Sequence, residues 1–159
     1  MRELRLYLET TVFNYYFDAD REGHLDVVRL FEGIAAGSYE GYVSRYVVEE
    51  LSAAPEPKRT HMLDLIERYH LITLWPNPRA LRLAERYIAN GIIPTSYLYD
   101  SVHIAMASVH GLDCVVSYNF KHINRSKTRL LTRSINDEEG YDGIYICTAG
   151  EVLNDEPYF

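Results

Sequence analysis

The sequence has 159 residues, of which 47% are hydrophobic and 25% are charged, as in one ordinary globular domain. Its 16 Lys and Arg against 23 Asp and Glu give a net charge of −7, which excludes a protein that coats nucleic acid by bulk electrostatics. No apolar run approaches the ~20 residues that span a bilayer, and the amino terminus resembles no secretion signal. We therefore expect a cytoplasmic protein, with no membrane association, that forms one domain over residues 1–159.

The first half of the chain alternates strand patterns with helix patterns. LRLYL (Leu4–Leu8) alternates as a strand does, and apolar residues at helical spacing over 25–34 predict a helix. YEGYVS predicts a second strand, and Arg45 to Ala54 a short helix that the following prolines end. Apolar positions over 62–69 then indicate another amphipathic helix.

The second half continues the alternation. LITLW (Leu71–Trp75) predicts a third strand, and a helix opened by Pro78 follows it. Tyr97 to Val109 is a helix pattern, after which DCVVS and GIYICT (Gly143–Thr148) predict two more strands and GEVLN a short terminal helix. Strands that alternate with helices imply an α/β fold with a mostly parallel sheet of about five strands between helical layers.

Two cysteines, Cys114 and Cys147, each lie within an apolar run. In such a setting a free thiol behaves as a small hydrophobic side chain, and this is what we expect in a reducing compartment. A disulfide between them is the alternative.

Acidic and polar side chains fall near the ends of the predicted strands. Glu9 follows the first strand, Glu50 lies on the helix after the second, and Asp100 begins the helix before the fourth, while Asn119 and His122 come after the fourth. In a parallel sheet these positions meet at one edge. Clustered carboxylates are stable in ionised form mainly beside a cation, and their oxygens suit Mg²⁺ or Mn²⁺. The chemistry implied is hydrolysis of a phosphodiester.

Each of these residues also has an ordinary structural interpretation. Asp100 at a helix start could be a cap or a partner of the helix dipole, and Glu9 could form a salt bridge. Glu50 has the neighbour Glu49, and spacing does not decide which of the two faces the site. Thr11, favoured over Thr10, could place a hydroxyl near a metal ion or its water, but it could equally cap a helix.

A basic segment lies between residues 121 and 133. Lys121, Arg125, Lys127, Arg129 and Arg133 occur there with no acidic residue among them. Such a segment could contact phosphates on an otherwise acidic protein, or it could be a solvated helix face or loop.

Four stretches resemble the PIN-domain family. YLETTVFNYYFD is similar to its opening YLDTSV-type segment, and VSRYVVEEL to its second-strand-and-acidic-helix segment. YDSVHIAMASVHGLDCVVSYNFKHI resembles its third and fourth acidic segments, and IYICTAGEVL its last strand. The resemblance implies a three-layer α/β/α sandwich, a divalent metal site and a ribonuclease of the kind found as toxins in bacterial and archaeal toxin–antitoxin pairs.

The resemblance also implies roles for individual residues. Glu9, Glu50 and Asp100 stand at the first three acidic positions as metal ligands, with Asn119 at the polar position after the fourth strand. Two positions depart from the family pattern, because the first is usually Asp and because His122 stands where a fourth acidic residue is common. An imidazole favours Mn²⁺ or Zn²⁺ over Mg²⁺, or contacts phosphate directly.

Two functions remain open from the sequence. The first is a metal-dependent endoribonuclease in which Asn119 and His122 orient water or phosphate, acting on single-stranded or loop RNA. The side chains expected to contact the substrate are Thr11, Ser117, Lys121, Arg125 and Lys127.

The alternative is a catalytically impaired PIN-like module that binds RNA or a protein partner, such as an antitoxin, and forms a homodimer. Aromatic surfaces would serve such a module, and the tyrosines considered for them are Tyr15, Tyr16, Tyr42, Tyr46, Tyr97 and Tyr99. A nucleotide-binding Rossmann-like domain is excluded because no glycine-rich loop follows the first strand.

Overall fold

The computed structural model describes residues 3–155, so residues 1–2 and 156–159 of the predicted domain lie outside the described part. The strands are β1 (Leu4–Leu8), β2 (Tyr39–Ser44), β3 (Ile72–Leu74), β4 (Cys114–Val116) and β5 (Tyr145–Cys147). The α-helices are α1 (Thr10–Phe17), α2 (His24–Ala35), α3 (Arg45–Ser52), α4 (Lys58–Arg68), α5 (Pro78–Ala89), α6 (Leu98–Val109), α7 (Ser126–Glu138) and α8 (Ala149–Asp155). A 3₁₀ turn (Thr95–Tyr97) precedes α6.

The five strands form one sheet in the order β3-β2-β1-β4-β5, and every neighbouring pair is parallel. The central strand β1 is apolar along most of its length, and Leu6, Tyr7 and Leu8 are fully buried. A strand covered on both faces needs such a continuous apolar run. The predicted fold class, a mostly parallel sheet of about five strands, is confirmed.

The helices cover the two faces of the sheet in two groups. The chain moves outward from β1 to β2 and β3, then crosses to β4 and β5 on the other side. Because parallel crossovers are right-handed, this reversal puts α1 to α4 on one face and α5 to α7 on the other. The packing of α1 against α2, and of α5 against α6 and α7, agrees with this arrangement. The result is a three-layer α/β/α sandwich.

The point of reversal lies between β1 and β4. In open parallel sheets, ligands bind beyond the carboxyl ends of the strands at such a point. The backbone N–H of Glu9 donates to the carbonyl of Val116 at 3.1 Å, so the ends of β1 and β4 are side by side. This edge is where the predicted acidic residues belong.

The basic segment is mostly helical, which the sequence left open. α7 begins at Ser126, and its buried face includes the polar side chains Thr128, Thr132 and Asn136. Thr128 and Thr132 donate their hydroxyls to backbone carbonyls, which allows them to be buried. A helix with a polar buried face has no apolar periodicity to reveal it.

Cys114 and Cys147 are paired as a disulfide between β4 and β5, so the expectation of two free thiols is wrong. The register explains the proximity, because Cys114 lies opposite Tyr145 and Cys147 lies opposite Val116. The two cysteines therefore point to the same face of the sheet, as a diagonal pair offset by two residues on adjacent strands.

Several tyrosines expected at contact surfaces belong wholly or partly to the core. Tyr42 is buried, and Tyr15, Tyr16 and Tyr46 pack against the core while half-buried.

Within residues 3–155, no helix combines the length and apolar character needed to cross a membrane.

Candidate active site

Glu9 lies at the junction of β1 and α1 and is only 3% exposed. Its Oε1 atom accepts hydrogen bonds from the hydroxyls of Thr11 and Ser117, each at 2.6 Å. The Thr11 hydroxyl also accepts the backbone N–H of Tyr118 at 2.8 Å. Thr11 is therefore no helix cap: it ties the start of α1 to the end of β4 and fixes the Glu9 carboxylate.

The burial of Glu9 has an electrostatic cost. Desolvation raises the pKa of its carboxyl group, and the charge of Glu50 adds to this effect. The nearby His103 and the hydroxyls of Ser117 and Thr11 favour the ionised form and oppose the shift. The net direction is upward, as expected for a carboxylate in a cluster of like charge.

Glu50, and not Glu49, faces this edge of the sheet. Its Oε1 atom accepts a hydrogen bond from the Thr10 hydroxyl at 2.9 Å and lies 2.5 Å from Nε2 of His103. Glu49 is exposed and accepts a hydrogen bond from the Tyr99 hydroxyl. The orientation of α3 that separates the two begins at Ser44, whose Oγ caps the helix by accepting the N–H of Val47.

His103 connects the acidic side chains to a buried polar chain. Its ring is fully buried, with Nδ1 2.6 Å from the Tyr7 hydroxyl, which in turn lies 2.7 Å from Oγ of Ser44. With protonated His103, Nε2–H donates to Glu50, Nδ1–H donates to the Tyr7 hydroxyl oxygen, and the Tyr7 O–H donates to Oγ of Ser44. Each buried group then has a partner.

The charges around His103 govern its protonation. Burial lowers the pKa of the imidazole, but the hydrogen bond to Glu50 and the charges of Glu50, Glu9 and Asp100 outweigh it, so the pKa is raised. Burial likewise raises the pKa of Glu50, yet the bond to His103 leaves it lowered. Both directions favour an imidazolium–carboxylate pair.

Asp100 lies in the first turn of α6 and is half-buried. The residue at the cap position is Tyr97, so Asp100 does not cap the helix. Burial raises the pKa of the Asp100 carboxyl, whereas the charges of His103 and His122 and the Asn119 amide lower it; the net direction is upward. Asp100 thus belongs to the same electrostatic group as the two glutamates.

The loop after β4 completes the edge. Asn119 accepts the backbone N–H of His122 through Oδ1 at 3.1 Å, and its own N–H donates to Oγ of Ser117 at 3.0 Å. The His122 ring is 8% exposed and packs on the Tyr97 ring, with 4.0 Å between centroids. Nε2 of His122 is buried and has no hydrogen-bond partner in the described part of the chain.

The three predicted basic residues lie on the surface beside this loop. Lys121, Arg125 and Lys127 are all exposed. The Lys121 ammonium lies 5.9 Å from the centre of the Tyr97 ring, and Arg125 donates to the Lys121 carbonyl at 3.2 Å. Lys121 is therefore held beside His122, while Lys127 lies in the first turn of α7.

His103 and Tyr7 are the members of this network that sequence reasoning missed. A signal was present for each. His103 is three residues after Asp100 and so on the same face of a helix, and Tyr7 is two residues before Glu9 and so on the same side of a strand. A pattern search confined to acidic residues passes over both.

A comparison with protein families identifies the fold. The family model of the PIN domain matches residues 6–127. The chain belongs to the PIN-domain family. Three of the four sequence stretches that resemble this family lie within the match, so the predicted family is confirmed, while the IYICTAGEVL stretch lies beyond the matched residues. The sequence matches no curated protein.

Solved structures agree with the PIN fold. DNA-bound VapBC from Salmonella typhimurium is similar with a TM-score of 0.57 and 16% identity, covering 92% of this chain and 98% of that one. VapBC2 from Rickettsia felis, bound to a DNA fragment from its promoter, gives 0.56 and 14%, covering 90% and 97%. Mycobacterium tuberculosis VapC20, a sarcin-ricin loop cleaving toxin, gives 0.54 and 11%, covering 74% and 92%.

Proposed function

We propose that this PIN domain is a divalent-cation-dependent endoribonuclease that hydrolyses RNA phosphodiester bonds. The observation that carries the proposal is that Glu9, Glu50 and Asp100, which lie at the β1–α1 junction, on α3 and on α6, all interact with the same buried side chain, His103. Glu9 is held in place by hydrogen bonds from Thr11 and Ser117. Burial of an ionisable carboxyl group costs desolvation free energy, and such groups occur preferentially at functional sites.

The donor chemistry of the edge fits Mg²⁺ or Mn²⁺. The candidate ligands are carboxylate oxygens. Burial raises the pKa values of Glu9 and Asp100, and a bound cation would stabilise their ionised forms. Among residues 3–155, no three His, Cys, Asp or Glu side chains are grouped closely enough to hold a metal ion. Mg²⁺ commonly binds one or two carboxylates and completes its shell with water and substrate phosphate, which suits this arrangement.

When bound, the cation would lower the pKa of a water molecule and stabilise negative charge on the phosphodiester. Of the three predicted ligands, Glu9 and Asp100 would hold it, since Oε1 of Glu50 is engaged by Thr10 and His103. The protein's own groups set the remaining geometry. Thr11 and Ser117 keep Glu9 in one orientation, and Asn119 fixes the loop that presents His122. Nε2 of His122 has no hydrogen-bond partner among residues 3–155 and would be suited to accept a hydrogen bond from, or donate one to, a phosphate group.

Charge balance also allows RNA to approach. Three carboxylates would repel a phosphate, but the raised pKa of His103 favours an imidazolium that offsets one of them. Lys121 beside His122, with Arg125 and Lys127 further along the surface, would contact the RNA backbone. Elsewhere the acidic surface limits non-specific binding.

We further propose that the chain is the toxin of a toxin–antitoxin pair. Support comes from the three similar structures, one described as a sarcin-ricin loop cleaving toxin and two as VapBC bound to DNA. On this proposal the chain would bind an antitoxin protein and form a homodimer.

A catalytically impaired PIN module that binds RNA or protein is the second candidate. The observation in its favour is that Oε1 of Glu50 is already engaged by both His103 and Thr10, while the first acidic position carries Glu9 and not the more usual Asp. An occupied ligand and a longer side chain would both weaken cation binding.

Cleavage of a mixed-sequence single-stranded RNA separates the two candidates. The nuclease should cut in Mg²⁺ or Mn²⁺, stop in chelator and lose activity in Glu9→Gln. Cleavage that persists in chelator, or that is unchanged in Glu9→Gln, would show a contaminating activity and would remove the proposal's support.

A further inference from the structure

Arg45 and Trp75 form an exposed cation–aromatic pair at the active edge of the sheet. Arg45 directly follows β2 and Trp75 directly follows β3, and the register places Ser44 opposite Leu74. The guanidinium carbon of Arg45 lies 5.2 Å from the centre of the Trp75 ring. Trp75 is 70% exposed, although a tryptophan side chain normally gains from burial.

A second aromatic group lies on the opposite side of the acidic residues. Phe120, in the loop after β4, is 55% exposed and meets the Tyr118 ring edge-on at 6.1 Å. Tyr118 stacks on Tyr15 at 4.0 Å, and the guanidinium of Arg21 covers Tyr15 at 5.4 Å. These side chains line an open cleft of about 480 Å³ that also contains Glu22.

The strand order places the two groups on opposite sides of Glu9, because Trp75 follows β3 and Phe120 lies in the loop after β4. Neighbouring strands are about 4.8 Å apart, so the end of β3 lies roughly 10 Å from the end of β1, and the end of β4 lies roughly 5 Å from it on the other side. A strand of nucleic acid that crosses the edge with one phosphate near Glu9 would pass Trp75 in one direction and Phe120 in the other.

We propose that Trp75 and Phe120 are base-stacking positions for single-stranded RNA on the two sides of the acidic residues. Aromatic rings accept any unpaired base, and the cations beside them, Arg45 and Arg21, can contact the adjoining phosphates. This pairing of ring and cation at both flanks favours RNA over a peptide, because it repeats the alternation of base and phosphate. The inference rests on the proposed function, and it explains why unpaired RNA would be preferred to a duplex.

A matched control exists at the other end of the sheet. Tyr145 is 45% exposed, and the guanidinium carbon of Arg133 lies 5.2 Å from the centre of its ring. Tyr145 begins β5, so this pair lies at the amino edge, away from the acidic residues. It likewise places an arginine 5.2 Å from the centre of an exposed aromatic ring, with tyrosine in place of tryptophan, but it lies away from the proposed RNA path.

Binding is measured by anisotropy of a short fluorescein-labelled oligouridine, in chelator and in the Glu9→Gln background, where one opposing charge is gone and cutting is not expected. Adding Trp75→Leu or Phe120→Leu should weaken binding by at least about fivefold each, and adding Tyr145→Leu by less than about twofold. Trp75 is the sole tryptophan, so its emission in the Glu9→Gln protein should also change on titration with unlabelled RNA, with the same midpoint.

Three results would overturn the proposal: no RNA binding by the Glu9→Gln protein, equal binding by all the variants, or Trp75 emission that does not respond to saturating RNA. Equal binding by the variants would leave the two groups as surfaces for a protein partner. Failure of the proposed function is distinguishable, because wild type would then show no cation-dependent cleavage while RNA binding still depended on Trp75 and Phe120.

Discussion

Nε2 of His103 lies 2.5 Å from Oε1 of Glu50, where the carboxylates of Glu9 and Asp100 also influence the imidazole. The histidine is fully buried, and its other nitrogen is bonded to Tyr7. A buried imidazole with an acidic partner on one side and a hydroxyl on the other is a positioned group, not a filler of space. His103 therefore fixes Glu50, and the raised pKa of its imidazole favours a positive charge opposite the carboxylates.

This pair should contribute to stability over a defined pH range. The lowered pKa of Glu50 gives stability that is present above its ordinary value of 4.5 and is lost as the pH falls through the lowered pKa. The raised pKa of His103 gives stability that is present below 6.5 and is lost as the pH rises through the raised pKa. Both contributions are complete between pH 4.5 and 6.5.

A double-mutant cycle of Glu50→Gln and His103→Gln, followed by urea unfolding, measures this coupling. We expect about 1.5–3 kcal/mol within that pH range and less at about pH 9. A coupling energy that is zero, or that does not change between the two pH values, would contradict the ion pair.

Glu49 and Glu50 form a natural comparison, since they are adjacent on α3 but face different surroundings. We expect Glu50→Gln to lower kcat/KM for RNA cleavage by about a hundredfold or more, because Glu50 is bonded to His103 and Thr10 beside the proposed metal ligands. Glu49→Gln, which removes an exposed charge hydrogen-bonded to Tyr99, should retain most of the activity. Equal losses of kcat/KM in both variants would contradict a specific role for Glu50 in the active site.

Ser117 and Thr11 should act through Glu9. Each donates a hydroxyl hydrogen bond to the same carboxylate oxygen, so Ser117→Ala and Thr11→Val would free its orientation and raise its pKa further. We expect a loss of about 10- to 100-fold in divalent-cation affinity or kcat for each. Ser117→Thr, which keeps a hydroxyl, is the rescue control. A direct substrate contact would instead change KM and leave cation affinity unaltered.

His122 should show opposite effects on stability and activity. Its Nε2 is buried and finds no partner among residues 3–155, so His122→Phe removes an unsatisfied polar atom while keeping the packing on Tyr97. We expect the free energy of unfolding to rise, or to stay within about 1 kcal/mol of wild type, while RNA cleavage falls at least about tenfold. A purely structural histidine would lose stability and keep its activity.

The fold was predictable because its signals are local and repeat along the chain. The alternating pattern LRLYL predicted a strand at Leu4–Leu8, and β1 matches it residue for residue. The parallel strand order alone also predicted that Glu9, Glu50 and Asp100 lie at one edge of the sheet. Their proposed roles in metal binding stay predictions, because a cation site depends on distances of tenths of an ångström that spacing does not determine.

The features that were missed depend on tertiary pairing. α7 buries threonine and asparagine side chains whose partners are backbone carbonyls and distant residues, so its buried face looks polar in sequence. The contact of Cys114 with Cys147 follows from the pairing of β4 with β5. Two separate apolar runs in a sequence do not indicate that their strands are neighbours in the sheet. The role of His103 depends on its hydrogen bond to Glu50, which is 53 positions away in the chain, so spacing along the sequence does not reveal it.

Calorimetric titration of Mn²⁺ and Mg²⁺ into wild type and Asp100→Asn, with cleavage of single-stranded RNA assayed in the same samples, tests the nuclease proposal most directly. The proposal expects saturable binding to wild type, and a fall in both binding and cleavage in Asp100→Asn. The absence of binding to wild type at about millimolar cation, together with no cleavage, would contradict it and would leave a PIN fold used for binding alone.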